Sequence, residues 1–223
     1  MDTLTHTVHR LEEAAKPHLR GVLHEVAFAI SLVSGTVIVC LASGSLERVA
    51  ASIYAASVVL LFGTSAAYHR GRWSVRGQQL MSRLDHSMIF VLIAGSYTPF
   101  CLLLLHGWLR WTIFGVVWGG AVTGIVIRNA FRQPPRWVFV TLYLSLGWVA
   151  VVIIPQVLSV GGVAVLVLLG VGGLLYTLGA VVYARRSPNP SPRWFGFHEV
   201  FHAFTIGAFA AHYVAISLAV YRH

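Results

Sequence analysis

The chain has 223 residues, of which 57% are hydrophobic and only 10% charged, and its mean hydropathy is +0.75. A soluble domain carries about 25% charged residues, so this composition excludes a soluble globular protein and leaves no room for a separate soluble domain. The formal net charge of +9 is carried almost wholly by arginine, in short gaps between apolar runs. There it reads as topological signalling and lipid headgroup contact, and not as a nucleic-acid interface.

Residues 1–21 are polar and charged, and are expected to form a cytoplasmic N-terminal segment, not a cleavable signal peptide. A membrane crossing needs about 20 mostly apolar residues. The chain offers seven such runs, at roughly 22–42, 48–69, 84–105, 109–128, 137–155, 160–184 and 196–220. Their short loops make sequential helices antiparallel neighbours. Cys40 and Cys101 lie within the first and third runs and read as small buried hydrophobes, not as a disulfide pair. Pro99 removes a backbone hydrogen bond in the third run and predicts a kink. The pairs Gly115 and Gly119, Gly120 and Gly124, and Gly170 and Gly173 fall at helical spacing and predict close helix packing. Ser187 to Pro192 reads Ser-Pro-Asn-Pro-Ser-Pro, a loop.

The cations decide orientation. If the seven runs alternate in direction, 13 Lys and Arg side chains fall on one side, and only Arg48, Arg110 and Arg222 on the other. Positive charge marks the cytoplasmic face. The sequence therefore predicts an all-α integral membrane protein of the plasma membrane. Its residues 22–220 would form a seven-helix bundle with the N-terminus inside and the C-terminus outside.

Against that apolar background a few polar residues stand out, because ionisable groups inside a membrane are costly and usually functional. The seventh run opens with His198-Glu-Val-Phe-His202. Two histidines four residues apart share one helix face, a spacing that suits two ligands of one metal ion, usually zinc. The second run ends inside at His69, with Ser65 one turn deeper on the same face. The third begins inside with Asp85 and His86. Topology alone thus delivers His69, Asp85, His198 and His202 to one depth on three helices. Three neutral histidines around zinc leave one position for a water whose pKa falls to about 7. Asp85 is placed to orient that water and take its proton, and Ser65 to hydrogen-bond Asp85 or the water. His24, His86 and His212 read as interfacial residues, and His6, His9, His18, His106 and His223 as ordinary surface histidines. Glu25 and Glu199 read as solvated acids at helix starts. Asp85 has a second reading, an ion pair with Arg83 or another loop arginine.

The stretch His198 to His202 also fits the His-Glu-x-x-His signature of zinc proteases, with Glu199 as general base. A second likeness spans nearly the whole chain. Ser65-Ala-Ala-Tyr-His69, Arg83-Leu-Asp-His-Ser87, Ala94-Gly-Ser-Tyr-Thr-Pro99 and Phe197-His-Glu-Val-Phe-His202 resemble the bacterial hemolysin III family. That family belongs with the progestin and adiponectin receptors and, more remotely, the alkaline ceramidases. The resemblance implies zinc held by His69, His198 and His202, with Asp85 holding a zinc-bound water and Ser65 beside it. It makes Glu199 incidental, since receptor relatives can have glutamine there.

Two classes of function follow. One is a zinc-dependent hydrolase of lipid amides, ceramidase-like, with a membrane lipid or acyl chain as ligand and a role in lipid homeostasis. The other is a non-enzymatic regulator or receptor-like bundle with structural zinc, associated with cytolysis through the family name. An intramembrane protease is the weaker alternative, because it requires Glu199 and dispenses with His69.

Overall fold

The computed structural model describes residues 17–131 and 135–222. His6, His9, His223 and most of the 1–21 segment lie outside them. Among the described residues every regular element is helical: α1 (Val22–Cys40), α2 (Ser45–Arg70), α3 (Val75–Pro99), α4 (Gly107–Ala130), α5 (Arg136–Trp148), α6 (Ala150–Gln156), α7 (Gly162–Arg185) and α8 (Phe197–Tyr221).

Six helical stretches are long and apolar enough to cross a membrane, and one of them, Trp137–Arg185, is 49 residues long. As a straight helix it would measure about 74 Å, more than twice the bilayer's apolar core. It is instead a hairpin. Gly162 takes φ 78° and ψ 176°, a backbone that L side chains rarely adopt. Tyr143 on α5 and Tyr183 on α7 then return to the same place. The Tyr143 hydroxyl donates to the His86 carbonyl at 3.0 Å, and the Tyr183 hydroxyl lies 3.3 Å from His86 Nε2.

Pro99 acts differently from a simple kink. The helix runs through it into a π-helical turn, Phe100–Leu104, and Pro155 is likewise followed by a π-helical turn, Val157–Gly161. Proline withholds an N–H and crowds the carbonyl of the preceding turn, and one extra residue per turn relieves both. The two π turns meet at one end of the bundle, where the His106 amide donates to Gln156 Oε1 at 2.9 Å and Arg222 bonds the Gly161 carbonyl.

α3 starts at Val75, well before the expected 84, because the Ser74 hydroxyl caps it by accepting from the Gly77 amide at 3.2 Å. Its first turns are polar, so hydropathy alone misses them. Asp85 and His86 therefore lie nearly three turns into the helix and not in its first turn. α3 is also the axis of the bundle, with 78% of its most apolar window buried, against 50% or less in the other stretches. α2 and α4 flank it, α7 pairs with α8, and α8 closes against α1. The Tyr213 hydroxyl donates to the Ser34 carbonyl at 3.1 Å across that last seam.

The glycine pairs divide. A Cβ at Gly120 would meet Leu146 and one at Gly124 would meet Phe90, so these two permit close packing. Gly115, Gly119, Gly170 and Gly173 face open space, and the last two line an internal cavity. Cys101 is buried as expected, whereas Cys40 is exposed on the outside of the bundle, because its face of α1 has no neighbour.

Gly95 is the tightest point between α2 and α3, where a Cβ would run into the Ser57 side chain. Gly95→Val is expected to cost about 1–3 kcal/mol through overpacking. A thermal melt of detergent-purified protein reads this as a lowered midpoint, with Gly119→Val as the unaffected control.

Candidate metal centre

The centre is built where α2 ends and α8 begins. His69 sits in the last turn of α2, and His198 and His202 lie one turn apart on α8. One ring nitrogen from each of the three falls within 4.8 Å of the others. His69 Nε2 and His198 Nε2 stand 3.1 Å apart. Two imidazole lone pairs repel at that distance unless a proton or a cation lies between them. Zinc bound tetrahedrally at 2.0–2.1 Å from each nitrogen places neighbouring ligand atoms about 3.3 Å apart. His202 Nδ1 is buried without a hydrogen-bond partner among the described residues. The donor set, its spacing and this orphaned nitrogen all fit a zinc-like cation.

Asp85 and Ser65 stand beside the triad. Both are buried, and neither belongs to the three-residue group. The Ser65 hydroxyl faces the Asp85 carboxylate and can donate to it. Asp85 forms no ion pair with an arginine among the described residues; His86 Nδ1 lies 3.9 Å from its Oδ2. His86 Nδ1 itself lies 2.6 Å from the Ser82 carbonyl. A carbonyl can only accept, so Nδ1 carries the proton and Nε2 receives the Tyr183 hydroxyl. The expected interfacial role of His86 is thus replaced by a bridge between α3 and α7.

His24 was also expected at the interface, yet it is buried and part of the centre. Its ring stacks on that of His202, with centroids 3.5 Å apart and planes within 11°. Its Nδ1 lies 2.8 Å from Ser65 Oγ. His24 Nε2 is buried without a hydrogen-bond partner among the described residues. A lone histidine carries no spacing signal. The signal that was present is topological: the first helix begins at the same end as the triad. His212 is buried as well, at mid-length of α8, where its Nε2 donates to the Leu169 carbonyl at 3.3 Å.

Glu199 departs most from expectation. It is not solvated; its side chain is fully buried. Its Oε2 accepts the Gly196 amide at 2.8 Å, capping its own helix, and its Oε1 lies 2.7 Å from Arg20 Nε. A carboxylate committed in both directions is not placed to serve as a general base. Arg20 belongs to a short strap, 17–21, held to the loop before α8 by His18 N–H to the Arg193 carbonyl at 3.0 Å and Leu19 N–H to the Trp194 carbonyl at 3.2 Å. Glu25 does face water, where it pairs with Arg70 at 3.0 Å.

The triad, Asp85, Ser65 and His24 all line one cavity of about 1320 Å³. It runs between α3, α5, α7 and α8 from the arginine-rich end to the level of Tyr97 and His212, and its deeper walls are apolar.

Long apolar helices and a buried polar centre define a multi-pass membrane protein with a candidate metal site at one end. The sequence model of the haemolysin-III related family matches residues 13–213. The chain is 32% identical over 172 residues to the hemolysin-3 homolog of Bacillus subtilis (strain 168), covering 76% of each chain. It is 29% identical over 212 residues to hemolysin-3 of Bacillus cereus, covering 93% of each. It is also 29% identical over 202 residues to the adiponectin receptor protein of Drosophila melanogaster, covering 79% of this chain and 44% of that one. The chain belongs to the haemolysin-III related family, within the adiponectin receptor superfamily.

The Arg20–Glu199 pair gives a direct test of how the site is held. Arg20→Gln leaves a buried carboxylate uncompensated and is expected to cost about 3–5 kcal/mol. Arg20→Gln/Glu199→Gln should recover most of the loss in a detergent melt.

Proposed function

We propose that this protein is a zinc-dependent hydrolase of lipid amides, embedded in the plasma membrane by seven crossings with its N-terminus inside. The observation that carries this reading is the histidine triad and Asp85 opening together on an apolar cavity long enough for an acyl chain. His69, His198 and His202 would hold the metal, and zinc so bound supplies a Lewis acid that polarises a carbonyl and acidifies water. Asp85 orients the attacking water, accepts its proton, and returns it to the departing amine nitrogen, so that water and amide become fatty acid and amine. Ser65 donates to Asp85 and fixes which carboxylate oxygen faces the centre. His24 hydrogen-bonds Ser65 and packs against the ring of His202, so it positions both halves of the site. The deeper cavity excludes water and aligns the acyl chain.

The hairpin within Trp137–Arg185 supports seven crossings, and the arginines at the triad's end support the orientation. Maleimide labelling of Ser191→Cys and Gly107→Cys in intact cells, on a Cys40→Ala/Cys101→Ala background, should modify only the second. Labelling of Ser191→Cys from outside would reverse the assignment.

Likeness to a protein named as a receptor favours a second reading, a non-enzymatic regulator whose zinc only ties α2 to α8. Purified wild-type protein is expected to carry about one zinc per chain, and His198→Ala/His202→Ala none. Asp85→Asn separates the readings. In the hydrolase it keeps zinc and thermal stability but loses fatty acid release from a ceramide by about 10²–10⁴-fold. Unchanged release in that variant would remove the mechanism, and a wild type with zinc but no release from any lipid amide would favour the regulator.

A further inference from the structure

Two arginines at the mouth of the cavity form no salt bridge with a carboxylate among the described residues. Arg83 on α3 and Arg128 on α4 both line it, while the arginine ion pairs among the described residues use Arg20 and Arg70. Arg128 is the more constrained. Its guanidinium lies over the Phe139 ring, 5.6 Å from the centroid. Its Nη2 reaches Ser82 Oγ only at 3.4 Å, and its Nε is buried without a hydrogen-bond partner among the described residues. A guanidinium presents five N–H donors in a planar fork, and among the described residues only the Ser82 contact engages one of them. A signal for topology explains an arginine at this end of the bundle. It does not explain one turned into the cavity and laid on an aromatic face with its donors unspent. That arrangement matches two-point recognition of an oxyanion in a partly desolvated site. Deeper in the cavity the walls become apolar, with Ile93 and, at the far end, Leu166 and Leu169, and the bare backbones of Gly170 and Gly173 widen the space.

We infer that the cavity takes an anionic amphiphile: one alkyl or acyl chain lies along the apolar walls, and a phosphate or carboxylate head is held by Arg128 with Arg83 and Ser82 beside it. The inference rests on the reading of the cavity as a lipid site and deepens it by assigning the charge of the lipid. The source of the oxyanion is a lipid headgroup, because a free inorganic anion would have no use for the apolar walls.

The test is equilibrium binding of radiolabelled dodecyl phosphate to the purified full chain in decyl maltoside. Dodecanoate, dodecanol and inorganic phosphate serve as competitors. Saturable binding is expected, with dodecanoate competing, dodecanol weaker by at least about tenfold, and inorganic phosphate not competing at matched concentration. Arg128→Gln should weaken binding by about 10–100-fold, the range for a lost charge-assisted bidentate contact. Arg128→Lys should fall between, and Arg72→Gln, an exposed arginine outside the cavity, should match wild type. Equal competition by dodecanol, full competition by inorganic phosphate, or unaltered binding by an Arg128→Gln variant that melts like wild type would each overturn the inference. Repeating the titration after zinc chelation separates this idea from the hydrolase. Head preference retained without metal places the head on Arg128, and preference lost with metal places it on the triad and overturns the inference. Turnover without any head preference would leave the hydrolase standing and remove the anionic ligand. Head preference without any turnover would do the reverse.

Discussion

The ion pair between Arg20 and Glu199 holds the functional end of this protein together. A carboxylate with no access to water cannot remain charged without a close partner, and it is costly to strand one. Glu199 meets that demand twice, through the Arg20 guanidinium and the Gly196 amide. The first contact draws the strap before α1 against the loop before α8. The second fixes the first turn of α8, and with it the direction in which His198 and His202 point. Once α1 and α8 start side by side, His24 falls onto the face of His202 and within reach of Ser65. The triad is therefore shaped by groups that never touch the metal position.

The same reasoning shows why sequence spacing misleads at Glu199. The stretch His198 to His202 satisfies a protease signature letter for letter, and the two histidines take the places on one helix face that the signature gives them. The glutamate is not placed as the signature's base, because in an apolar surround it is captured by the nearest cation and the nearest bare amide. A motif fixes which residues share a helix face. It does not fix where a flexible carboxylate turns.

Much of the architecture was legible in the sequence. The apolar runs located the helices to within a few residues wherever helix and membrane-like segment coincide. They failed at α3, whose polar opening turns are held by a Ser74 cap and not by hydropathy. The split of arginines foretold which helix ends share a face, and that sufficed to bring His69, Asp85, His198 and His202 together before any geometry was known. His24 escaped because a single histidine has no periodicity to betray it. Arg128 escaped because its charge already had an adequate explanation as a sorting signal. In both cases the missing information was the orientation of a side chain, which only the packing of neighbouring helices supplies.

His69 and His198 are 129 residues apart in the chain. A growing polypeptide enters the membrane from its N-terminus, so α2 is in place long before α8 has been synthesised. Until then His69 has no co-ligands and Arg20 has no counter-ion. On the proposed zinc reading, metal loading therefore comes among the last events in maturation. A chain that stops short of α8 lacks two of the three histidines and the glutamate that closes the ring, which gives a cell a chemical distinction between finished and unfinished copies.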